Sequence, residues 1–192
     1  AKDGVDRTEP AVIKMLAMSR DKQTETFSEV INALGIVPVS ISYELDPCDG
    51  FKARELYLRS TTGSYAKAEQ EDVASIARGI SGGKGRVHVA FGTPLAGEFA
   101  DADQVAQEID RQVVALYCLH PTNLYAYRML QGDDVGIPGN LTLEPGSCSR
   151  AAFEARMEAL PTDHRSFALA IYANAVASKL AHDQAAGCPP SC

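Results

Sequence analysis

The spacing of apolar residues near the amino terminus predicts two short helices. Thr8 is suited to the N-cap position of a helix, and Pro10 is suited to its first turn. The apolar residues that follow recur at helical spacing, which predicts a helix over residues 9–19. A second stripe, with apolar residues at positions i, i+3, i+4 and i+7, predicts a helix over residues 26–34. Gly35 follows it as a typical C-terminal stop.

Alternation of apolar and polar residues predicts two strands. Residues 36–43 place their apolar side chains on one face and Pro38, Ser40 and Ser42 on the other. Residues 86–91 alternate in the same way. Each strand therefore has one polar face.

Helical periodicity dominates the rest of the chain. Further helices are predicted over residues 51–59, 67–80, 103–119, 121–130, 149–160 and 163–186. Strands between helices, followed by helices alone, predict an α/β fold: a partial sheet with flanking helices, then an all-helical carboxy-terminal block. We place the α/β domain at residues 1–132, and a loop, a helical extension and a disordered tail at residues 133–192.

Composition narrows the class of protein. The chain is 45% hydrophobic and 22% charged, which is typical of a globular domain with a real core. A net charge of -7 without a Lys/Arg cluster argues against a general nucleic-acid binder. Five scattered cysteines favour free thiols in a reducing cytosol. No apolar run reaches the roughly 18–20 residues of a membrane span, and no signal-peptide pattern is present.

The beginning of the chain predicts that it is the carboxy-terminal part of a larger α/β enzyme domain. It opens on Ala1-Lys2-Asp3-Gly4, without an initiator methionine. A sheet of two strands is marginal alone, so further strands are expected from residues that this chain does not contain.

Two features around the second strand invite a functional interpretation. Lys84 lies in a glycine-rich turn, but it lacks the spacing and the following Ser or Thr of a phosphate-binding loop, and a tight turn explains the glycines. Arg86 and His88 share one face of the predicted strand. That pair faces either a site or solvent.

The cysteines and histidines give a weaker signal. His182, Cys188 and Cys192 combine residue types that zinc prefers, but the sequence offers no fourth ligand. No histidine has an aspartate five positions later, and no serine stands in a nucleophile elbow. The residues alone therefore predict an architecture without a catalytic centre.

Residues 36–44, Ile-Val-Pro-Val-Ser-Ile-Ser-Tyr-Glu, and residues 85–95, Gly-Arg-Val-His-Val-Ala-Phe-Gly-Thr-Pro-Leu, together resemble two segments of a known family. This is the glycerolipid acyltransferase family, the lysophosphatidate acyltransferase-like enzymes. The first segment is similar to its V-P-V/I strand motif and the second to its closing strand with a Gly-x-Pro-Leu/Ile turn. Residues 1–8, 43–49 and 51–56 resemble a bacterial subgroup.

The resemblance implies transfer of an acyl group from acyl-CoA or acyl-carrier protein to a hydroxyl of a glycerol-phosphate-type or lysolipid acceptor. In the family a His of an H-x-x-x-x-D motif deprotonates that hydroxyl, and a Glu-Gly-x-Arg motif helps to hold the acceptor phosphate. Neither motif is present in this chain. We therefore expect no bound cofactor, and no turnover by this chain alone.

Four residues are predicted to lie near the acceptor. The resemblance carries over Pro38, as part of the wall behind the acceptor site. Lys2, Arg7 and the polar strand face with Ser40 are candidates by their position in the chain. The alternative is that Lys2 and Arg7 are solvated and that the serine satisfies backbone groups.

Three functions remain open from the sequence. The first is part of a glycerolipid acyltransferase, cytoplasmic and peripheral to the inner face of a membrane, because its substrates reside in bilayers. The second is a non-catalytic helical interaction or lipid-binding module. The third is an enzyme of unrelated chemistry that uses Arg86 and His88.

Overall fold

The computed structural model describes residues 2–21, 23–135, 141 and 143–185. The chain forms two compact units. Unit 1 consists of Ala1–Val5, Ser42–His88 and Cys118–Cys192, and unit 2 of Asp6–Ile41 and Val89–Tyr117. The predicted boundary at residue 132 rests on the family resemblance and stays a prediction.

Eight α-helices and two β-strands lie in the described part of the chain. They are α1 (Pro10–Leu16), α2 (Phe27–Ala33), β1 (Val39–Tyr43), α3 (Asp49–Thr62), α4 (Glu71–Ser81), β2 (Val87–Phe91), α5 (Ala102–Ala115), α6 (Pro121–Gln131), α7 (Arg150–Glu158) and α8 (Thr162–Ala185). A 3-10 turn over Ala17–Ser19 continues α1. Every predicted helix and strand is therefore confirmed, with shifted ends.

Unit 2 is built around the apolar faces of α1, α2 and α5. Its buried core residues are Ile13, Ile31, Leu95, Ala102 and Val105. Thr26 caps α2 in a capping box with Glu29, and Asp101 caps α5 by accepting from the backbone N–H of Gln104. These side chains satisfy N–H groups that the helices leave without an internal partner.

The predicted N-cap of α1 is wrong. Glu9 occupies the N-cap position without a capping side-chain bond. The Thr8 backbone N–H and hydroxyl instead donate to the Asp110 carboxylate on α5, over 2.8 and 2.6 Å. A tertiary partner thus competes successfully with the local cap.

Unit 1 is a helical assembly in which α8 packs against α3, α6 and α7. Its main core consists of Ala53, Ala126, Phe153, Met157, Ala168, Leu169, Ile171, Tyr172 and Ala173. The rings of Phe153 and Tyr172 meet edge to face, with centroids 5.0 Å apart. The helical periodicity of the carboxy-terminal block therefore produces a real core.

Helix α3 is longer than the sequence predicts. It continues through Thr61 and Thr62, whose hydroxyls donate back to the carbonyl oxygens of Tyr57 and Leu58. It ends only at Gly63, which adopts a left-handed conformation with φ 76°. Gly63 therefore ends the helix.

The two strands pair antiparallel. The backbone N–H of Glu44 donates to the Arg86 carbonyl, and that of Gly92 donates to the Pro38 carbonyl. The apolar side chains of both strands are exposed, whereas Ser40 on the polar face is only 2% exposed. The α/β class is confirmed, and an acyltransferase-like sheet stays a prediction.

The glycine-rich turn before β2 is confirmed as a turn. Lys84 donates its ammonium group to the carbonyl oxygens of Ile80 and Gly82 at the end of α4. Gly85 has φ +62°, and a Cβ there would lie 2.4 Å from Glu44 Oε2. The glycine is required by backbone conformation and by close packing.

Helices α7 and α8 confirm the predicted helical carboxy-terminal block. The predicted disordered tail lies outside the described residues. No described helix has the length and apolar character needed to cross a bilayer.

Candidate functional site

The predicted acceptor-site residues are distributed over both units. In unit 1, the Lys2 ammonium group lies 2.5 Å from Glu55 Oε1. In unit 2, Arg7 is exposed, Pro38 is buried and accepts the Gly92 N–H, and the Ser40 hydroxyl has no hydrogen-bond partner among the described residues. Their roles stay predictions.

The candidate site that the structure brings together is a cavity in unit 1 of about 460 Å³. Its lining combines basic side chains with an apolar wall. The lining residues are Pro47, Asp49, Gly50, Phe51, Arg54, Arg78, Arg156, Ala159, Leu160, Pro161 and His164.

Four helices position the cavity. Phe51 and Arg54 come from the first turns of α3, Arg78 from α4, Arg156 from α7 and His164 from α8. A Cβ on Gly50 would approach the Leu160 side chain to 3.2 Å, so α3 packs closely against the α7–α8 connection at this point. The site therefore depends on the packing of unit 1 and not on one loop.

Asp49 holds Arg156 in place at the wall. Its Oδ2 accepts from Arg156 Nε and from the Tyr172 hydroxyl, each over 2.7 Å, and Asp49 is only 5% exposed. Arg156 also donates to the Asp46 carbonyl over 2.9 Å. Burial and then the neighbouring Asp49 carboxylate raise the pKa of the Tyr172 hydroxyl well above its ordinary value. Tyr172 therefore stays a neutral donor in this network.

The other two arginines are held more loosely. Arg78 donates its Nε–H to the Pro47 carbonyl over 3.0 Å. Arg54 donates to the Tyr65 hydroxyl over 3.2 Å and lies 3.7 Å from the Glu71 carboxylate. Because a guanidinium group has five N–H donors, these contacts leave donor capacity for a ligand.

The chemistry of this lining favours binding of an anion that has an apolar part. The lining contains three guanidinium groups and one carboxylate, that of Asp49. This carboxylate already accepts hydrogen bonds from Arg156, Tyr172 and the Gly50 N–H. Phe51, Leu160 and Pro161 supply apolar surface. Arginine suits phosphate and carboxylate because its N–H groups form a planar fork.

A second polar group lies on the polar side of the strands in unit 1. Ligand atoms of His88, Cys118 and Glu144 all lie within 4.8 Å of one another. Burial and then the Glu144 charge raise the pKa of the Cys118 thiol to about 11. Of the predicted zinc ligands, His182 Nδ1 lies 3.2 Å from Asp183 Oδ1, and Cys188 and Cys192 lie outside the described residues.

Sequence reasoning missed the cavity because its basic residues are far apart along the chain. Arg78 and Arg156 stand on different helices, and neither belongs to a motif. Asp49 begins α3 and anchors Arg156, and no motif in the sequence indicates that role. Only the tertiary fold brings these groups together.

Comparison with known proteins leaves the family open. No protein-family model matches the chain, and no curated protein or solved structure matches it. The glycerolipid acyltransferase resemblance therefore rests on the short segments described above.

Proposed function

We propose that this chain is part of a glycerolipid acyltransferase and contributes the binding surface for a phosphate-bearing lipid substrate. The enzyme transfers an acyl group from acyl-CoA or acyl-carrier protein to a glycerol-phosphate-type hydroxyl. The ordered segments over residues 36–44 and 85–95 support the family. Because the family's catalytic histidine and aspartate are not in this chain, we expect no acyl transfer by it alone.

The observation that carries the proposal is the cavity between α3, α4, α7 and α8. A lysolipid has an anionic phosphate head and a long apolar tail. Arg54, Arg78 and Arg156 offer cationic donors to the head, and the Phe51 and Leu160 side chains offer apolar surface to the part of the ligand that follows it. The cavity volume, about 460 Å³, is in the usual range of small-molecule sites.

A binding experiment tests the cavity directly. The chain is titrated with lysophosphatidate below its micelle-forming concentration, and Arg54→Gln and Arg78→Gln are compared with the unchanged protein. Each substitution should weaken binding by about tenfold to a hundredfold, since a hydrogen bond to a charged group contributes roughly 1.5–3 kcal/mol. Arg59→Gln is the matched control, because Arg59 lies on α3 and pairs with Glu55 outside the cavity lining.

The control also fixes the outcome that contradicts the site. Equal affinity in Arg54→Gln, Arg78→Gln and Arg59→Gln would place the lipid elsewhere. A neutral lysolipid bound as tightly as lysophosphatidate would remove the role of the arginines.

Acyl transfer itself needs a second experiment. The chain is assayed alone and together with any coding sequence that precedes Ala1 in frame, with acyl-CoA and lysophosphatidate as substrates. Activity of the extended protein, lost when a His of an H-x-x-x-x-D motif is replaced, supports the proposal. An extended protein that lacks this motif and transfers no acyl group contradicts it.

The second candidate is a non-catalytic lipid-binding module. One observation favours it: Val73, Ile76 and Ile80 form an apolar stripe along α4, and their side chains are 67%, 63% and 76% exposed. Such a stripe is typical of helices that lie in a membrane interface. Lipid binding with no acyl transfer by the extended protein would favour this module.

A further inference from the structure

Three potential metal ligands from separate segments of unit 1 meet beside the strands. His88 lies on β2, Cys118 follows α5, and Glu144 lies in the segment before α7. One ligand atom from each of the three side chains lies within 4.8 Å of the other two. His88 and Cys118 are partly buried and Glu144 is exposed, so the group lies at a surface that an ion reaches from solvent.

The backbone under these side chains is held by hydrogen bonds. The Cys118 N–H donates to the Ser42 hydroxyl on β1 over 3.2 Å. Leu119 and Leu143 form a parallel bridge, and the Glu144 N–H donates to the Leu119 carbonyl over 3.0 Å. Cys118 and Glu144 are thus adjacent to paired backbone positions, which limits how far the two side chains can separate.

The residue types indicate which ion fits. A thiolate and an imidazole suit zinc and its neighbours among the transition metals, whereas magnesium and calcium prefer oxygen ligands alone. In a tetrahedral zinc site with bonds of about 2.0–2.3 Å, the ligand atoms lie roughly 3.5 Å apart. The present separations, all within 4.8 Å, exceed that value by little more than 1 Å at most, so ion binding would draw the three ligand atoms closer together.

We propose that His88, Cys118 and Glu144 bind one zinc-class divalent ion through an imidazole nitrogen, a thiolate and a carboxylate. On binding, the Cys118 S–H bond breaks, the sulfur binds the ion, and the proton passes to solvent. Three protein ligands leave a fourth position for water or another ligand, as in zinc sites that carry out chemistry. This site is independent of the proposed lipid-binding cavity.

The experiment is a titration of the full chain, purified with chelator and reductant, with Zn²⁺ and with Co²⁺. We expect one ion per chain at this site, and with Co²⁺ a near-ultraviolet absorption that reports a thiolate ligand. The variants Cys118→Ser, His88→Ala and Glu144→Gln remove one ligand each. We expect each to weaken the affinity by about a hundredfold or more, since losing even a supporting outer contact costs 10–100-fold.

Matched controls separate this site from other thiols. Cys148→Ser removes a partly buried thiol outside the site, and Cys188→Ser with Cys192→Ser removes the two thiols of the carboxy terminus. Both proteins should bind the ion as the unchanged chain does. Thermal unfolding monitored by circular dichroism, with and without Zn²⁺, checks that every variant is folded and that the ion raises the unfolding temperature.

Three results would overturn the proposal. The first is a chain without stoichiometric binding. The second is binding that survives in folded Cys118→Ser and Glu144→Gln. The third is binding lost in the Cys188→Ser, Cys192→Ser protein, which would assign the ion to the terminal thiols. Because Glu144 is exposed, Glu144→Gln is expected to fold and keeps the test decisive even if Cys118→Ser does not.

Discussion

In unit 1, a single polar residue, Glu44, stabilises the fold in a way that the apolar pattern does not predict. It follows β1, has no exposed surface, and accepts hydrogen bonds from the Arg86 N–H, the Ser147 N–H and hydroxyl, and the Cys148 N–H over 2.5–2.8 Å. Burial alone raises the pKa of this carboxyl, but the hydrogen bonds outweigh burial and lower it to about 2. Glu44 is therefore a buried anion whose charge is satisfied by donors.

The lowered pKa predicts a pH dependence of stability. The Glu44 carboxyl has a pKa of about 2 in the folded protein and an ordinary pKa of 4.5 in the unfolded chain. It therefore contributes its full stabilisation at pH values above 4.5. This contribution, on the order of 3 kcal/mol, is lost as the pH falls from about 4.5 to about 2. Urea unfolding of Glu44→Gln should show a loss of similar size at pH 7 and a weaker decline toward acid.

Glu158→Gln is the control for that experiment, because Glu158 is exposed at the end of α7. It should unfold as the unchanged protein does. Equal stability of Glu44→Gln and Glu158→Gln at neutral pH would contradict the role of the Glu44 network.

Gly85 gives a second prediction at the same scale. Gly85→Ala places a methyl group against Glu44, whose carboxylate is fixed by its donors, and forces a residue with a Cβ to adopt φ +62°. We expect a loss of about 2 kcal/mol or more in the free energy of unfolding. Gly83→Ala, two positions earlier, meets nothing within 4 Å and should change stability by less than about 0.5 kcal/mol. Similar values for the two variants would contradict this.

At the scale of elements, α4 packs through the face that the apolar pattern did not predict. Arg78 donates to Pro47, the Ser75 carbonyl accepts from the Cys48 thiol, and Gly82 lies against Pro47. On α4, Ser75 and Arg78 lie on the side of the helix opposite the apolar stripe of Val73, Ile76 and Ile80. The helix therefore leaves Val73, Ile76 and Ile80 in solvent.

This arrangement predicts that Ile76→Glu is neutral for folding and harmful for membrane contact. Because Ile76 is 63% exposed, the thermal unfolding temperature should change little. Sedimentation with vesicles that contain lysophosphatidate should fall several-fold, since a charge replaces apolar contact. Ser166→Glu adds the same charge at an exposed position on α8 and should leave sedimentation unchanged. Equal sedimentation of both variants would exclude the stripe.

The periodicity of apolar residues predicted the helices and strands, because each type of element has its own repeat: about 3.6 residues in a helix and two in a strand. It did not predict which face packs. Ser40 is buried and Ile41 exposed on β1, so the polar face of that strand is the inner one. Ends also shifted where a side chain found a distant partner, as Thr8 did with Asp110. The cavity and the His88–Cys118–Glu144 group depend on such distant pairings, which one sequence does not encode locally.

For the whole molecule, the main feature is that neither unit is one continuous segment. In unit 2, the register of the strands places Ile41 opposite Val89. The two residues that flank the stretch 42–88 are therefore neighbours in unit 2. Within unit 2 that stretch is equivalent to an insertion at the tip of a hairpin.

Unit 2 should therefore fold without the insertion. We expect residues 6–41 joined by a short Asn-Gly-containing turn to residues 89–117 to give a helical circular dichroism spectrum and cooperative thermal unfolding. The core of Ile13, Ile31, Leu95 and Val105 remains intact, although a chain of this size is marginal. Ile31→Ala in the same protein should abolish cooperative unfolding, because it removes a fully buried side chain. A non-cooperative parent protein would contradict the independence of unit 2.

The pairing of α3 with α8 has a consequence for synthesis on the ribosome. Ala53 on α3 is completely buried in a cluster whose other members come from α6, α7 and α8. Translation completes α3 about a hundred residues before it begins α8, which at about 5–20 residues per second is a delay of about 5–20 seconds. During that interval the nascent chain presents the apolar side of α3 to its surroundings. A chaperone that holds this side until α8 emerges would raise the yield of folded protein.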